Sequence, residues 1–321
     1  MNNSIYNLIV APWASQVVFT ANRLKVFTRL GDQLLTVEEI AFRCGAIVPL
    51  LKPLFEACVC LRLLEQHHHQ YQNSHFSRVY LVEGAPLYVG DLIELQFIEF
   101  KTWNELHEIM VGHAGEAEVP DKTAADYRTY IKGMHNLGML GEAAALKNAV
   151  DLSACKQMID AGGGSGIYST TLCQQYPHLQ AKILDQAETL AVTAEMLASC
   201  AVRERITLCE ADITQDSFGE NIDVVLLSDV IYDLATATPV LKNAWNCLRQ
   251  NGLLLIRGYY SDPDHLKSLF GALFTLNSLV FDPNREILTM RSLEKVVSDA
   301  GFKITRRAPL TELSWLLMAQ K

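Results

Sequence analysis

The stretch DAGGGSG, Asp160 to Gly166, joins an apolar run (QMI) to a helical one. Glycines at 162, 164 and 166 let the backbone take positive φ and pass close to a ligand. A strand that breaks into such a turn and restarts as a helix opens a βαβ unit. The chain continues in that grammar: AKILDQ, ITLCEAD, IDVVLLSD and GLLLIRGYY read as strands separated by helices, and FKITRRAP and SWLLMAQK as a closing hairpin. Alternating strands and helices predict an α/β, Rossmann-like, doubly wound, mostly parallel sheet over residues 151–321.

Ligands of such sheets gather at the carboxyl ends of the strands. Asp160, Asp185 and Asp212 each end a strand, and Ile213 follows the last of them. The spacing is G-x-G-x-G, and Ile167 occupies the place where a dinucleotide fingerprint has glycine. That argues against NAD or FAD and for a cofactor with no pyrophosphate at the turn. Asp185 is placed to accept from both hydroxyls of a ribose. Asp212 is placed to accept from an adenine amino group, with Ile213 packed on the ring.

Residues 1–95 read differently. TVEEIAFRCG carries a capping box, Thr36 with Glu39, and turns Ile40 and Ala41 inward. LLKPLFEACVCLRLL follows as a second helix, with Pro49 in its first turn and a predicted buried stripe of Leu50, Leu54, Ala57 and Leu61. LLEQHHHQYQNS reads as two strand arms around a tip. Helix, turn, helix and hairpin outline a winged helix. Residues 96–150 read as helices bridging the two parts and contributing to a substrate pocket, with Trp103 and Met134 among their apolar positions.

Charge limits what the winged helix can do. Seven basic residues stand against eight acidic ones in 1–95, and the whole chain has net charge -9. Phosphate contacts demand the opposite excess, so neither nucleic acid nor an anionic membrane is expected as a partner. His67-His68-His69 alternate faces on a hairpin and do not converge on one ion, so no metal site is expected. Eight cysteines without a C-x-x-C pair fit a reducing compartment. With no signal peptide and no apolar run long enough to span a bilayer, the expected location is the cytoplasm.

Asp160-x-Gly162-x-Gly164-x-Gly166 resembles motif I of class I S-adenosylmethionine (SAM) methyltransferases. WASQVVFTANRLKVFTRL, LTVEEIAFRCG, LLEQHHHQYQNS and YLVEGAPLYVGDLI resemble the N-terminal dimerisation domain of the caffeic acid/hydroxyindole-type O-methyltransferase family. The resemblance implies an all-helical winged-helix dimerisation domain, a homodimer, and SAM held by Gly162, Asp185, Asp212 and Ile213. It also puts Ser228 at the cofactor and Met134 near its sulfur.

The reaction centre departs from that family. Its usual base is a histidine before an aspartate after the fourth strand, and SDVIYDL places Tyr232-Asp233 there. The acids that support the histidine are missing too: Arg257-Gly258-Tyr259 and Ser292 fill their slots. A tyrosine with a pKa of about 10 is a poor base at neutral pH but a good hydrogen-bond donor. His135 is an alternative base, Asp229 and Asp233 stand close by, and His265 follows the fifth strand. Asp233 is equally suited to cap a helix. Tyr259 and Tyr260 are candidates to line an aromatic acceptor site.

Three mechanisms stay open. The acceptor ionises unaided; a carbon nucleophile is polarised by Tyr232; or another residue such as His135 takes the proton. The expected activity is SAM-dependent methylation of a small aromatic molecule, on oxygen by resemblance. C- or N-methylation, or SAM binding without transfer, are the alternatives.

Overall fold

The computed structural model describes residues 5–112, 124–260 and 269–321. The chain divides into two compact units, Met1–Lys101 and Thr102–Lys321. The division falls inside a helix, Gly90–Trp103, which also contains the expected limit at residue 95.

The first unit is built from helices α1 (Ile5–Arg23), α2 (Val26–Leu30), α3 (Val37–Cys44), α4 (Val48–Cys60) and α5 (His75–Tyr80), and most of α6 (Gly90–Trp103). It is not purely helical. Strands β1 (Leu35–Thr36), β2 (Leu64–His67) and β3 (Gln70–Asn73) form a small antiparallel sheet in the order β1-β3-β2. β2 and β3 are the wing, with His68 at the tip in a left-handed conformation (φ 57°). The capping box of α3 forms as the sequence predicts: Glu39 N–H donates to Thr36 Oγ1 at 3.3 Å, and Thr36 N–H donates to Glu39 Oε2 at 2.7 Å. Ile40 and Ala41 are buried.

The stripe on α4 is displaced from the predicted one. Leu51, Phe55 and Cys58 are buried, while Leu50 is 68% exposed and Leu61 38%. Because this helix is apolar nearly all round, periodicity alone leaves its rotation open. The bulky Phe55 takes the core position, edge-on to Tyr71 at 5.2 Å.

The second unit contains α7 (Leu106–Met110), α8 (Ala124–Leu137), a π-turn at Gly138–Glu142, and α9 (Ala143–Ala149). The sheet follows, with strands β4 (Gln157–Ala161), β5 (Gln180–Asp185), β6 (Ile206–Glu210), β7 (Ile222–Ser228), β8 (Leu248–Gly258), β9 (Lys303–Pro309) and β10 (Trp315–Gln320). Helices α10 (Ile167–Gln175), α11 (Ala187–Leu197), α12 (Leu234–Cys247), α13 (Leu269–Phe281) and α14 (Met290–Asp299) lie between them in sequence. The strand order is β6-β5-β4-β7-β8-β10-β9, parallel from β6 to β8 and closed by the antiparallel β9–β10 hairpin.

Alternation along the strands builds two cores. Ile159, Val225, Leu227, Leu254 and Ile256 join residues of α12 and α14 on one face, whereas Met158, Val224, Leu226 and Leu255 join residues of α9 and α10 on the other. Both faces are covered, so the central strands are apolar throughout. The order reverses between β4 and β7, which opens a crevice at their carboxyl ends.

Candidate active site

The glycine turn after β4 sits at that crevice. Gly162, Gly164 and Gly166 have φ of 70°, 54° and 72°. A Cβ on Gly162 would lie 2.3 Å from Val230 Cγ1 and 3.6 Å from Ile213 Cδ1, so the first glycine lets two apolar side chains close over the turn. Gly164 N–H donates to Asp185 Oδ2 at 2.8 Å, and Thr193 Oγ1 donates to the Gly164 carbonyl at 2.6 Å. Gln186 N–H donates to the other Asp185 oxygen at 2.8 Å. Burial raises the Asp185 pKa, although both N–H bonds favour the ionised form.

Asp160 lies beneath the turn, fully buried. Ser169 Oγ donates to its Oδ2 at 2.6 Å, and its Oδ1 has no hydrogen-bond partner. Burial pushes its carboxyl up to about 6. Asp212 is exposed and organises its own turn, accepting from Thr214 N–H at 2.9 Å, Thr214 Oγ1 at 2.6 Å and Gln215 Nε2 at 2.6 Å. The Thr214 hydroxyl holds its pKa down. Asn243 Nδ2 donates to the Ile213 carbonyl at 3.1 Å and fixes that residue near the glycines. The donor set suits a neutral adenosine-type ligand: carboxylates for hydroxyl and amino groups, apolar walls, and no cationic side chain among these residues.

His135 on α8 reaches the same turn. Its Nδ1 is 3.2 Å from Ser165 Oγ, and burial lowers its pKa. Met134 precedes it, half-buried. A Cβ on Gly138, one turn further on, would meet Ile167 Cγ2 at 2.8 Å, so the π-turn packs closely on the start of α10.

Beyond β7 and β8 lies a second set of residues. Arg257 is fully buried on β8, beneath Tyr259 and near Tyr168, its guanidinium carbon 4.4 Å and 5.5 Å from their ring centroids. It pairs with Glu142 through Nε at 3.2 Å and through Nη2, and with Asp229 through Nη1. Thr311 Oγ1 and Ser314 Oγ also donate to Glu142, at 2.6 and 2.5 Å. Burial opposes the Glu142 charge, but Arg257 and the two hydroxyls outweigh it and hold the carboxyl below its ordinary range. Ser228 is buried, with the Tyr168 phenol beside it.

Asp229 is half-buried and holds φ 58°, a left-handed conformation that costs energy for a residue with a side chain. It also accepts a hydrogen bond from Tyr232. The hydrogen-bond role foreseen for Tyr232 is thus filled by a carboxylate of the same loop. Burial keeps the Tyr232 phenol well above its ordinary pKa. Asp233 takes its capping role, accepting from Thr236 N–H at 2.8 Å. Thr289 caps α14 in a capping box with Ser292, whose hydroxyl accepts from Thr289 N–H at 2.8 Å.

An aromatic wall stands over this floor. Tyr232 packs on Tyr260 at 5.7 Å and on Phe274 at 5.9 Å, and Tyr259 packs on Phe274 at 4.9 Å and Phe270 at 5.6 Å. Tyr260 donates to the Ile231 carbonyl at 2.9 Å. Trp103 Nε1 donates to Asn277 Oδ1 at 2.7 Å, which ties it to α13, the helix that carries Phe270 and Phe274. His265 lies outside the described residues. Sequence reasoning overlooked the Glu142–Arg257–Asp229 group. Its signal was an arginine inside the apolar strand GLLLIRG, since a buried charge needs a partner. Among the described residues no cluster could hold a metal ion, and no helix is long and apolar enough to cross a membrane.

Comparison with known proteins identifies the family. Residues 101–303 match the O-methyltransferase domain and residues 6–83 the O-methyltransferase dimerisation domain. The chain is similar to 3-hydroxy-5-methyl-1-naphthoate 3-O-methyltransferase of Streptomyces sahachiroi (28% identical over 283 residues, 85% of this chain and 82% of that one). It is similar to acetylserotonin O-methyltransferase of Bos taurus (27% identical; 91% and 90%) and to N,N-dimethyltransferase OxyT of Streptomyces rimosus (24% identical; 99% and 96%). Its fold matches human N-acetylserotonin methyltransferase, solved in complex with SAM, with TM-score 0.87 at 21% identity over 100% and 99% of the two chains. The chain therefore belongs to the SAM-dependent O-methyltransferase family and carries that family's dimerisation domain.

Proposed function

We propose that the chain transfers the methyl group of SAM to a hydroxyl of a small aromatic molecule. The observation that carries this reading is the aromatic wall of Tyr232, Tyr259, Tyr260, Phe270 and Phe274, which follows β7 and β8 and whose loop neighbour Val230 closes on Gly162. Such a wall recognises a flat ring and excludes water from it. The naphthoate and acetylserotonin relatives, named for O-methylation of aromatic compounds, support the choice.

The cofactor would be held by Gly162 and Gly164 through the backbone, by Asp185 and Asp212 as acceptors, and by Ile213 against the adenine. Ser228 and Met134 would complete the cofactor site, an assignment that rests on the family resemblance. When bound, SAM supplies an electrophilic methyl on a sulfonium. The chain itself orients the acceptor oxygen, keeps water out and removes a proton. Asp160 supports the turn from below, and His135 holds it through Ser165. We assign the dimerisation domain to homodimer formation. The exposed Ile5, Tyr6, Leu8, Ile9 and Trp13 of α1 form an apolar surface of the kind such contacts use.

Calorimetry with SAM and S-adenosylhomocysteine, followed by labelled-methyl transfer to a hydroxynaphthoate, to N-acetylserotonin and to aromatic amines, tests the reading. Label on a phenolic oxygen is the expected result. Transfer only to nitrogen or carbon would replace the reaction, and binding with no transfer to any acceptor would leave a SAM-binding protein.

A further inference from the structure

Two carboxylates, Glu142 and Asp229, flank one guanidinium, Arg257. The floor of the acceptor site therefore carries one negative charge more than positive. Glu142 is enclosed and saturated by Arg257, Thr311 and Ser314. The surplus charge that meets the pocket is that of Asp229, whose side chain is 29% exposed. Tyr232 has committed its proton to Asp229. A phenol oxygen that donates its only hydrogen offers lone pairs to anything else that arrives. Among the described residues, the other titratable groups beside Tyr232 and Arg257 are phenols: Tyr130 of α8, Tyr168 of α10, and Tyr259 and Tyr260 after β8.

Such a floor repels an anionic acceptor and rewards one that brings a hydrogen. We propose that the site takes its phenolic acceptor with the proton still on, and that this proton leaves through the Tyr232 hydroxyl to the Asp229 carboxylate as the methyl group arrives. The inference rests on the transferase reading and names the proton path that replaces the missing histidine. The acceptor oxygen forms its bond to the methyl carbon while the carbon–sulfur bond of the donor breaks, its electron pair staying on sulfur. The acceptor proton passes to Tyr232 oxygen, and the Tyr232 proton passes to Asp229 Oδ1. A carboxylate is strong enough for this, because an oxygen that has gained a methyl group holds its proton very weakly. Arg257 is a positioning residue: it fixes the carboxylate and itself stays charged.

The test uses 4-nitrophenol, a phenol whose neutral and ionised forms absorb at different wavelengths. It is titrated at neutral pH into the full chain, with and without S-adenosylhomocysteine. Wild type is expected to bind the neutral form and raise the probe's apparent pKa. Asp229→Asn removes the surplus charge yet keeps the backbone, since asparagine tolerates left-handed φ better than other residues with side chains. This variant is expected to bind the ionised form. Nitrophenolate bound by wild type, identical spectra for both proteins, or an unchanged spectrum at millimolar probe each overturns the proposal.

With an acceptor that stays un-ionised at the assay pH, Asp229→Asn is also expected to lower kcat about a hundredfold and to flatten the acid limb of the pH–rate profile. A kcat within about twofold of wild type overturns the relay. The spectral measurement needs no turnover, so a failed transferase reading and a failed proton path give separate results.

Discussion

Glu142 and Arg257 stand 115 residues apart in the chain and meet as an ion pair with side chains only 4% and 1% exposed. The pair links the π-turn after α8 to the end of β8. Two charges are tolerated there because each has further partners: Thr311 and Ser314 on one side, Asp229 on the other. Removing one member leaves the other buried without compensation. Glu142→Ala should cost about 3–5 kcal/mol. Replacing Glu142 and Arg257 together with apolar residues should cost less than the two single changes combined. Urea unfolding of the single and double variants checks both statements.

Asp160 should make the fold sensitive to pH. Its ordinary carboxyl value is 3.8, and burial raises it to about 6 in the folded chain. Between these values the native state binds more protons than the unfolded one. Stability should therefore fall as pH rises through that window and stay lower above it, by about 3 kcal/mol from this group. Asp160→Asn should melt higher than wild type at pH 8, and the difference should shrink on acidification toward pH 4. Equal melting temperatures at both pH values would remove Asp160 as the cause.

The hydroxyl of Tyr232 bonds to Asp229 and lies away from the glycine turn's own hydrogen bonds. Tyr232→Phe should slow the chemical step about a hundredfold while SAM affinity stays within about twofold. Single-turnover kinetics and calorimetry read the two quantities independently. An unaltered rate would leave the residue as packing against Tyr260 and Phe274.

His135 should behave as a support of the cofactor turn. Its ring contacts Ser165, so His135→Ala should weaken SAM binding by about 1 kcal/mol, roughly fivefold. Burial also lowers its pKa, so the folded state binds fewer protons than the unfolded chain near the ordinary value of 6.5. The stability it provides is present above that value and is lost as pH falls. Thermal melts from pH 7.5 to pH 5 should show a shallower acid decline in the variant.

Gly162→Ala places a methyl group 2.3 Å from Val230 Cγ1 on a backbone at φ 70°. Calorimetry should show SAM affinity falling at least about tenfold, since either Val230 or the turn must move. The structure of the variant would show which one moves.

Much of this was legible in the sequence. The strand–turn–helix grammar from Gln157 onward, the capping box at Thr36 and the cap at Asp233 are local patterns, set by side-chain period and by hydrogen bonds between near neighbours. The glycine positions and the acids at the strand ends follow from the same local rules. The rotation of α4 was not legible: with apolar residues on most faces, only the volume available in the core chose Phe55 over Leu54. Nor was the Glu142–Arg257–Asp229 group. Sequence by itself determined that a glycine turn would end β4 and that tyrosine would replace the expected histidine. Only the tertiary structure decided that Glu142, Arg257 and Asp229 converge beneath that tyrosine, because ion pairing between distant residues depends on where the sheet and the π-turn bring them, and no local pattern encodes it.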